Sequence, residues 1–165
     1  MSELPAIDPA EFRRVLGHFP TGVTVVTANG SEGPVGVAIG SFASISLDPP
    51  LVGFFLGNTS GSLQGIKSAG HFCVNVLCDD QLDLCGTMAS KADDKFSGVA
   101  WTPAHGSGAP VLPDVHAVID CTLDQMVELG DHHLVVGRVL HLDTVNDHEP
   151  MIFHKGRYGT FGTTA

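Results

Sequence analysis

The chain has 165 residues, the size of one ordinary domain, with 43% apolar and only 16% charged residues, a balance that excludes a disordered chain. Its formal net charge is −10 and its eight Lys and Arg are scattered, which argues against binding along a phosphate backbone and so against a nucleic-acid partner. The longest apolar run, Leu51 to Leu56, falls far short of the ~20 residues of a bilayer span, and the start MSELPAIDPAEF lacks the basic and apolar regions of a secretory leader.

Taken in order, Asp8-Pro9-Ala10-Glu11 opens a helix, with Asp as N-cap, Pro at the first helical position and Glu at the third. Phe12, Val15, Leu16 and Phe19 then share one helical face. Gly22 to Ala28 reads as a strand, Asn29-Gly30 begins a turn, and a second strand is expected at about Val35 to Ser46. Pro49 and Pro50 reset the chain before Leu51 to Leu56, which is apolar on both faces and therefore expected to be buried. Thr59 to Ser68 predicts a short helix ended by Gly70, and Phe72 to Cys78 a strand. Asp79 or Asp80 is expected to cap a further short helix carrying Leu82, Cys85 and Met88. Residues 90 to 114, rich in Gly, Pro, Ser and Asp, read as a long loop with a helical turn, a kind of segment that often carries function. Val115 to Leu123 and His132 to Leu142 alternate cleanly, and Met151 to Tyr158 is expected as a last short strand.

Six or seven strands, joined mostly by short connections and without regular strand-helix alternation, predict a mainly β fold: an antiparallel sheet closed into a barrel with a few helices outside. The expectation is one domain over residues 1–165, cytoplasmic and without membrane contact, and the low charge content points to a second subunit covering some apolar surface. Cys73, Cys78, Cys85 and Cys121 form no close CxxC pair and are expected as free core thiols, which fits a reducing compartment. His105, His116, His141, His148 and His154 form no metal-binding pair and are read as surface residues, so no metal is expected.

Three stretches carry candidate chemistry. Gly36, Ala38, Gly40, Ser41, Ala43 and Ser44 crowd small residues together, either at a barrel corner or along a strand whose backbone N–H and C=O groups approach a flat ligand closely. Asn58-Thr59-Ser60-Gly61-Ser62 gathers hydroxyls and free helix N-terminal N–H groups, as an ordinary cap or as a phosphate seat. Gly130-Asp131-His132-His133 is either hairpin chemistry or the start of a strand that enters a site; adjacent strand residues face opposite ways, so at most one histidine points into it.

Five blocks occur together and in order: Gly22 to Thr27, Ser41-Phe42-Ala43-Ser44-Ile45-Ser46-Leu47-Asp48-Pro49-Pro50-Leu51-Val52, Phe72-Cys73-Val74-Asn75-Val76-Leu77, Lys95-Phe96-Ser97-Gly98 and Gly130-Asp131-His132. In them the chain resembles the short-chain flavin reductases of the FMN-binding split-barrel fold, the reductase components of two-component flavin monooxygenases, from about Phe12 to Tyr158. The resemblance implies an antiparallel, Greek-key-like split barrel that works as a homodimer with flavin near the subunit interface. It implies that NADH or NADPH reduces FMN or FAD by hydride transfer and that reduced flavin leaves for a separate monooxygenase. It places Val37, Ala38, Gly40, Ser41, Ser44, Phe55, Leu56, Gly57, Ser60, Gly61, Ser62, Met88 and Lys95 around the flavin and Asp131, His132 and His133 at the nicotinamide. His132 would be the catalytic residue, orienting the nicotinamide or neutralising charge on the reduced flavin.

The family commonly has Thr at the place of Ala38 and Ser or Asn at the place of Gly40. One lost neutral hydrogen bond costs about 0.5–1.5 kcal/mol, a weakening of up to roughly tenfold that a flavin used as a diffusing substrate tolerates. The alternatives are a flavoprotein of the same fold that keeps a flavin or deazaflavin and acts on a small substrate, and a non-catalytic flavin- or haem-binding module.

Overall fold

The computed structural model describes residues 5–163, so residues 1–4 and 164–165 of the expected domain lie outside the described residues. Helix α1 (Pro9–Leu16) starts as its sequence predicts: Asp8 Oδ1 accepts the Ala10 N–H at 3.1 Å with Pro9 behind it. Its apolar face finds no cover in its own chain, because α1 buries no residue and Phe12 is 53% exposed.

Strands β1 (Thr21–Gly22) and β2 (Thr24–Gly30) follow, and β2 forms a hairpin with β3 (Gly33–Ile39). The turn falls one step later than expected: Asn29 and Gly30 still pair, and Ser31-Glu32 make the reversal ahead of Gly33 at φ 122. The strand expected from Val35 to Ser46 is two strands. β3 ends at Ile39, residues 40–42 cross over, and β4 (Ala43–Leu47) pairs instead with β5 (Pro50–Gly57). Ser41 Oγ fixes this crossing by accepting the Phe55 N–H at 2.9 Å and donating to the Phe55 carbonyl at 3.2 Å. In β5 Val52, Gly53, Phe54 and Leu56 are buried, but Leu51 is only half-buried and Phe55 is 45% exposed, so the run expected to be buried on both faces is not covered throughout.

Helix α2 (Gly61–Ala69) ends at Gly70, whose φ of 69 is the left-handed cap that glycine adopts freely. β6 (His71–Val76) leads to α3 (Leu82–Ala89). Neither Asp79 nor Asp80 caps α3; Gln81 occupies that place, and its side chain reaches back to accept the Cys78 N–H at 3.0 Å. Residues 90–114 hold turns and the small hairpin β7 (Thr102–Pro103) and β8 (Pro110–Val111), with no helix. The long hairpin β9 (Ala117–Leu129) and β10 (His132–Thr144) turns at Gly130, and the expected last strand is a hairpin, β11 (Met151–His154) and β12 (Arg157–Thr160).

The main sheet is antiparallel and seven-stranded, in the order β3-β2-β6-β9-β10-β5-β4, while β1, β11 and β12 form a second sheet. Its two edge strands are consecutive in the chain, and the sheet curls so that β2, β3, β5, β6, β9 and β10 share one core around Val26, Ile39, Phe54, Phe72, Cys121 and Val135. The architecture is the split-barrel fold, mainly β with helices outside. α2 adds Leu63 and Ile66 to this core, and on the opposite face of β2 Val23 and Val25 meet Cys85 and Met88 of α3. Gly137 lets the packing close: a Cβ there would stand 2.3 Å from the Phe72 ring. All four cysteines are free and buried. Among the described residues no helix is long and apolar enough to cross a membrane.

Candidate active site

Gly36, near the middle of edge strand β3, organises the site. Its carbonyl accepts the Ser62 hydroxyl at 3.1 Å and the Lys95 ammonium at 3.1 Å. Any side chain at Gly36 would collide, since a Cβ would lie 2.7 Å from Met88 Sδ and 3.2 Å from the Phe96 ring. Both donors approach from the side away from β2, so this carbonyl lies on the free edge of the sheet. Alternation along an edge strand then puts the N–H and C=O of Ala38 on the same free side. Val37 turns into the main core and Ala38 toward α3.

Lys95 also donates to the Met88 carbonyl at 2.8 Å, and among the described residues no carboxylate pairs with it. Burial pushes its pKa down from the ordinary lysine value. Next to it stands the N-terminus of α2, where Ser60 Oγ accepts the Ser62 N–H at 3.4 Å and the Gly61 Cα faces open space. The Lys95 ammonium and the N-terminal end of α2 thus lie together beside the Gly36 carbonyl, both of a sign that suits an anion. Ser62 itself is buried with its hydroxyl committed to Gly36, and Met88 is wholly buried, so neither side chain offers a surface to a ligand.

The register of β5 and β10 sets His132 opposite Gly57, His133 opposite Leu56 and Leu134 opposite Phe55. His132 Nδ1 lies 2.7 Å from Asp131 Oδ1, and its Nε2 is directed toward Gly57, where an added Cβ would come within 3.8 Å. The bond and charge of His132 hold the Asp131 carboxyl below its ordinary range. His133 faces the other way, with Nδ1 2.7 Å from Asn58 Oδ1, and lines a cavity of about 230 Å³ against α2 with Leu63, Lys67 and Met126. The strand alternation expected of the pair therefore holds, and His132 is the exposed one.

Hydrogen bonds and strand pairing link several of the predicted residues. Ser62 joins α2 to β3, Ser41 joins the crossover to Phe55, Gly40 sits against Thr21 of β1, and Ser44 lies exposed on β4 beside Val52. Leu56 is buried behind Gly57. Two residues that sequence reasoning named only within longer runs, Gly36 and Asn58, take definite parts here. Asn58 bonds the Gly130 carbonyl and His133. Its place in the run Asn58-Thr59-Ser60 was the available signal. Of the histidines expected at the surface, His116 is half-buried, with an Nδ1 that has no hydrogen-bond partner.

A family model described as a flavin reductase like domain matches residues 16–162. The chain is 47% identical over 157 residues to a flavin reductase of Pseudomonas putida, covering 94% of this chain and 92% of that one. It is 44% identical over 153 residues to the reductase subunit of a flavin-dependent monooxygenase of Rhodococcus jostii, covering 93% and 78%. Among solved structures, an NADH:FAD oxidoreductase of Streptomyces globisporus in complex with NAD and FAD fragments matches at a TM-score of 0.89 and 36% identity, over 98% of this chain and 99% of that one.

Proposed function

The chain belongs to the flavin reductase-like family, and on that premise we propose that it passes a hydride from NADH or NADPH to FMN or FAD and hands the reduced flavin to a separate monooxygenase. The observation that carries the site assignment is the convergence of Lys95 Nζ and the Ser62 hydroxyl on the Gly36 carbonyl, beside the α2 N-terminus. That cluster fits the flavin phosphate: Lys95 brings an unpaired positive charge, and the first N–H groups of α2 bring donors. The unpaired N–H and C=O of Ala38 suit the polar edge of a flat ring, and Gly40 keeps that approach open.

When bound, flavin supplies the hydride acceptor; the protein contributes position, since most of the catalysis in such a transfer comes from holding two rings in contact. Asp131 accepts from His132 Nδ1 and so fixes the imidazole, leaving Nε2 to meet the nicotinamide or the charge that develops on reduction. The uncovered apolar face of α1 supports a homodimer.

The test is oxidation of NADH and of NADPH by the purified protein in air, with no flavin, FMN or FAD added. Saturable oxidation that depends on added flavin is expected. A yellow protein that turns over without added flavin would show a retained cofactor instead, and no oxidation with any flavin would overturn the reading. In the same assay His132→Ala is expected to raise the nucleotide KM or lower kcat; if both stay unchanged, His132 has no part in the reaction.

A further inference from the structure

Cys78 has no part in the site proposed above, yet it stands where two distant segments are fastened together. Just past the end of β6 it forms a bridge with Pro150, the residue ahead of β11. The Asp79 N–H donates to the Glu149 carbonyl at 2.9 Å and the Met151 N–H to the Leu77 carbonyl at 3.0 Å, so the two segments run side by side. Asn146 anchors the second of them: its Nδ2 donates to the carbonyls of Asp114 at 2.9 Å and Val115 at 3.0 Å, and its Oδ1 accepts the His148 N–H at 2.9 Å. This frame gathers the Cys78 thiol, an Asp80 carboxylate oxygen and a His148 ring nitrogen within 4.8 Å of one another.

The group differs from a solvated acidic surface in the kind and placement of its side chains. Cys78 is buried, whereas Asp80 and His148 are exposed, so a cation would enter from their side. His148 Nδ1 and Asp80 Oδ2 are 3.9 Å apart, too far for a hydrogen bond between them. Two ligands of a tetrahedral zinc ion stand roughly 3.3–3.6 Å apart, a separation that small turns of two exposed side chains reach. Residues 78–84 and 145–150 carry Asp79, Asp80, Asp83, Asp147 and Glu149 and no Lys or Arg. Among the described residues none of these carboxylates pairs with a Lys or Arg from elsewhere, so the local field draws a cation in.

We propose that Cys78, Asp80 and His148 form a binding site for a divalent cation of the zinc class. A thiolate and an imidazole select such an ion over magnesium or calcium, which take oxygen ligands. Three protein ligands leave a fourth position to solvent. On binding, the thiol gives up its hydrogen bond to the Asp114 carbonyl, 3.3 Å long, and its proton passes to solvent, so the ion binds more tightly as pH rises. The ion ties the turn that opens α3, where Gln81 holds the Cys78 N–H, to the residues that lead into β11. Read along the chain, His148 belongs to no metal motif; the fold brings it to Cys78 and Asp80 from far away in sequence.

The test uses the full-length protein with its thiols reduced and its metals removed by a chelator. Cobalt(II), a spectroscopic stand-in for zinc, is expected to bind with the near-ultraviolet absorption of a thiolate–cobalt bond, which added zinc abolishes and added magnesium does not. His148→Gln and Asp80→Asn, both at exposed positions, should each weaken cobalt binding about tenfold or more. Zinc should raise the melting temperature of the wild type and of neither variant. Cys78→Ser should lose the absorption altogether; because Cys78 is buried, the two exposed variants carry the test if this one does not fold. Cobalt bound without the thiolate absorption overturns the proposal, because carboxylates alone would then hold it. The absence of binding, or an absorption unchanged in both His148→Gln and Asp80→Asn, overturns it too. No flavin or nucleotide enters these measurements, so their outcome is independent of the flavin reductase reading.

Discussion

Cys73 and Cys121 lie on adjacent strands next to Asp120, a buried carboxylate satisfied by the N–H groups of Gly106 at 2.8 Å and Ser107 at 2.9 Å and by the Ser107 hydroxyl. Burial, with the Asp120 charge as a second cause, pushes both thiols from an ordinary 9.0 up to about 12. Below pH 9 both are protonated in the folded and the unfolded chain, so they leave stability unchanged with pH. Above it the unfolded chain loses protons that the folded chain keeps, and stability falls as pH rises from 9 toward 12. Urea titrations across this range should show the midpoint dropping, and the drop should shrink in the double variant Cys73→Ala/Cys121→Ala. An identical slope in the variant would assign the alkaline loss to other groups. The same shift leaves these thiols unreactive at neutral pH.

Among the elements, α2 does two jobs, closing the core with Leu63 and Ile66 and presenting its N-terminus to the site. The two can be separated at Ser60. Ser60→Ala removes the cap and should cost about 1 kcal/mol of stability. Ser60→Asp keeps a capping oxygen but sets a carboxylate where the flavin phosphate is expected; melting should be near wild type while FMN binding, read by fluorescence quenching, weakens more than tenfold. Unchanged FMN affinity would remove the phosphate from this helix end. The end of α2 and the start of α1 were legible because the signals are local, Gly70 and Asp8-Pro9, whereas the helix expected from Thr59 begins at Gly61, with Ser60 as its cap. The break at residues 40–42 was not, because small residues continue through it and what ends β3 is a distant partner, the Phe55 backbone held by Ser41. Likewise Lys155-Gly156 gave no turn signal, lysine being unusual at positive φ. Within the site, Ser60 to Ser62 and His132 were readable as side-chain chemistry. The backbone of Gly36 was readable as open to close approach, but its partners Ser62 and Lys95 were not, since they lie far along the chain.

At the scale of the whole molecule, the unexplained quantity is apolar surface. Helix α1 has eight residues and buries none of them, a length that is marginal in water without packing, and Phe12, Leu16 and Phe19 remain 53%, 55% and 76% exposed. Ile45 and Leu47 on edge strand β4 are 49% and 96% exposed, an apolar edge that an isolated chain would be expected to blunt with charge. A second copy of the chain would cover such surfaces at no cost in added sequence. Sedimentation velocity is therefore expected to give twice the chain mass of 17.3 kDa. The double variant Phe12→Asp/Phe19→Asp should sediment as a monomer and lose helical ellipticity, because α1 would have neither its own core nor a neighbour's to rest on. A wild-type monomer at micromolar concentration would mean that α1 stands folded on its caps alone, against its length.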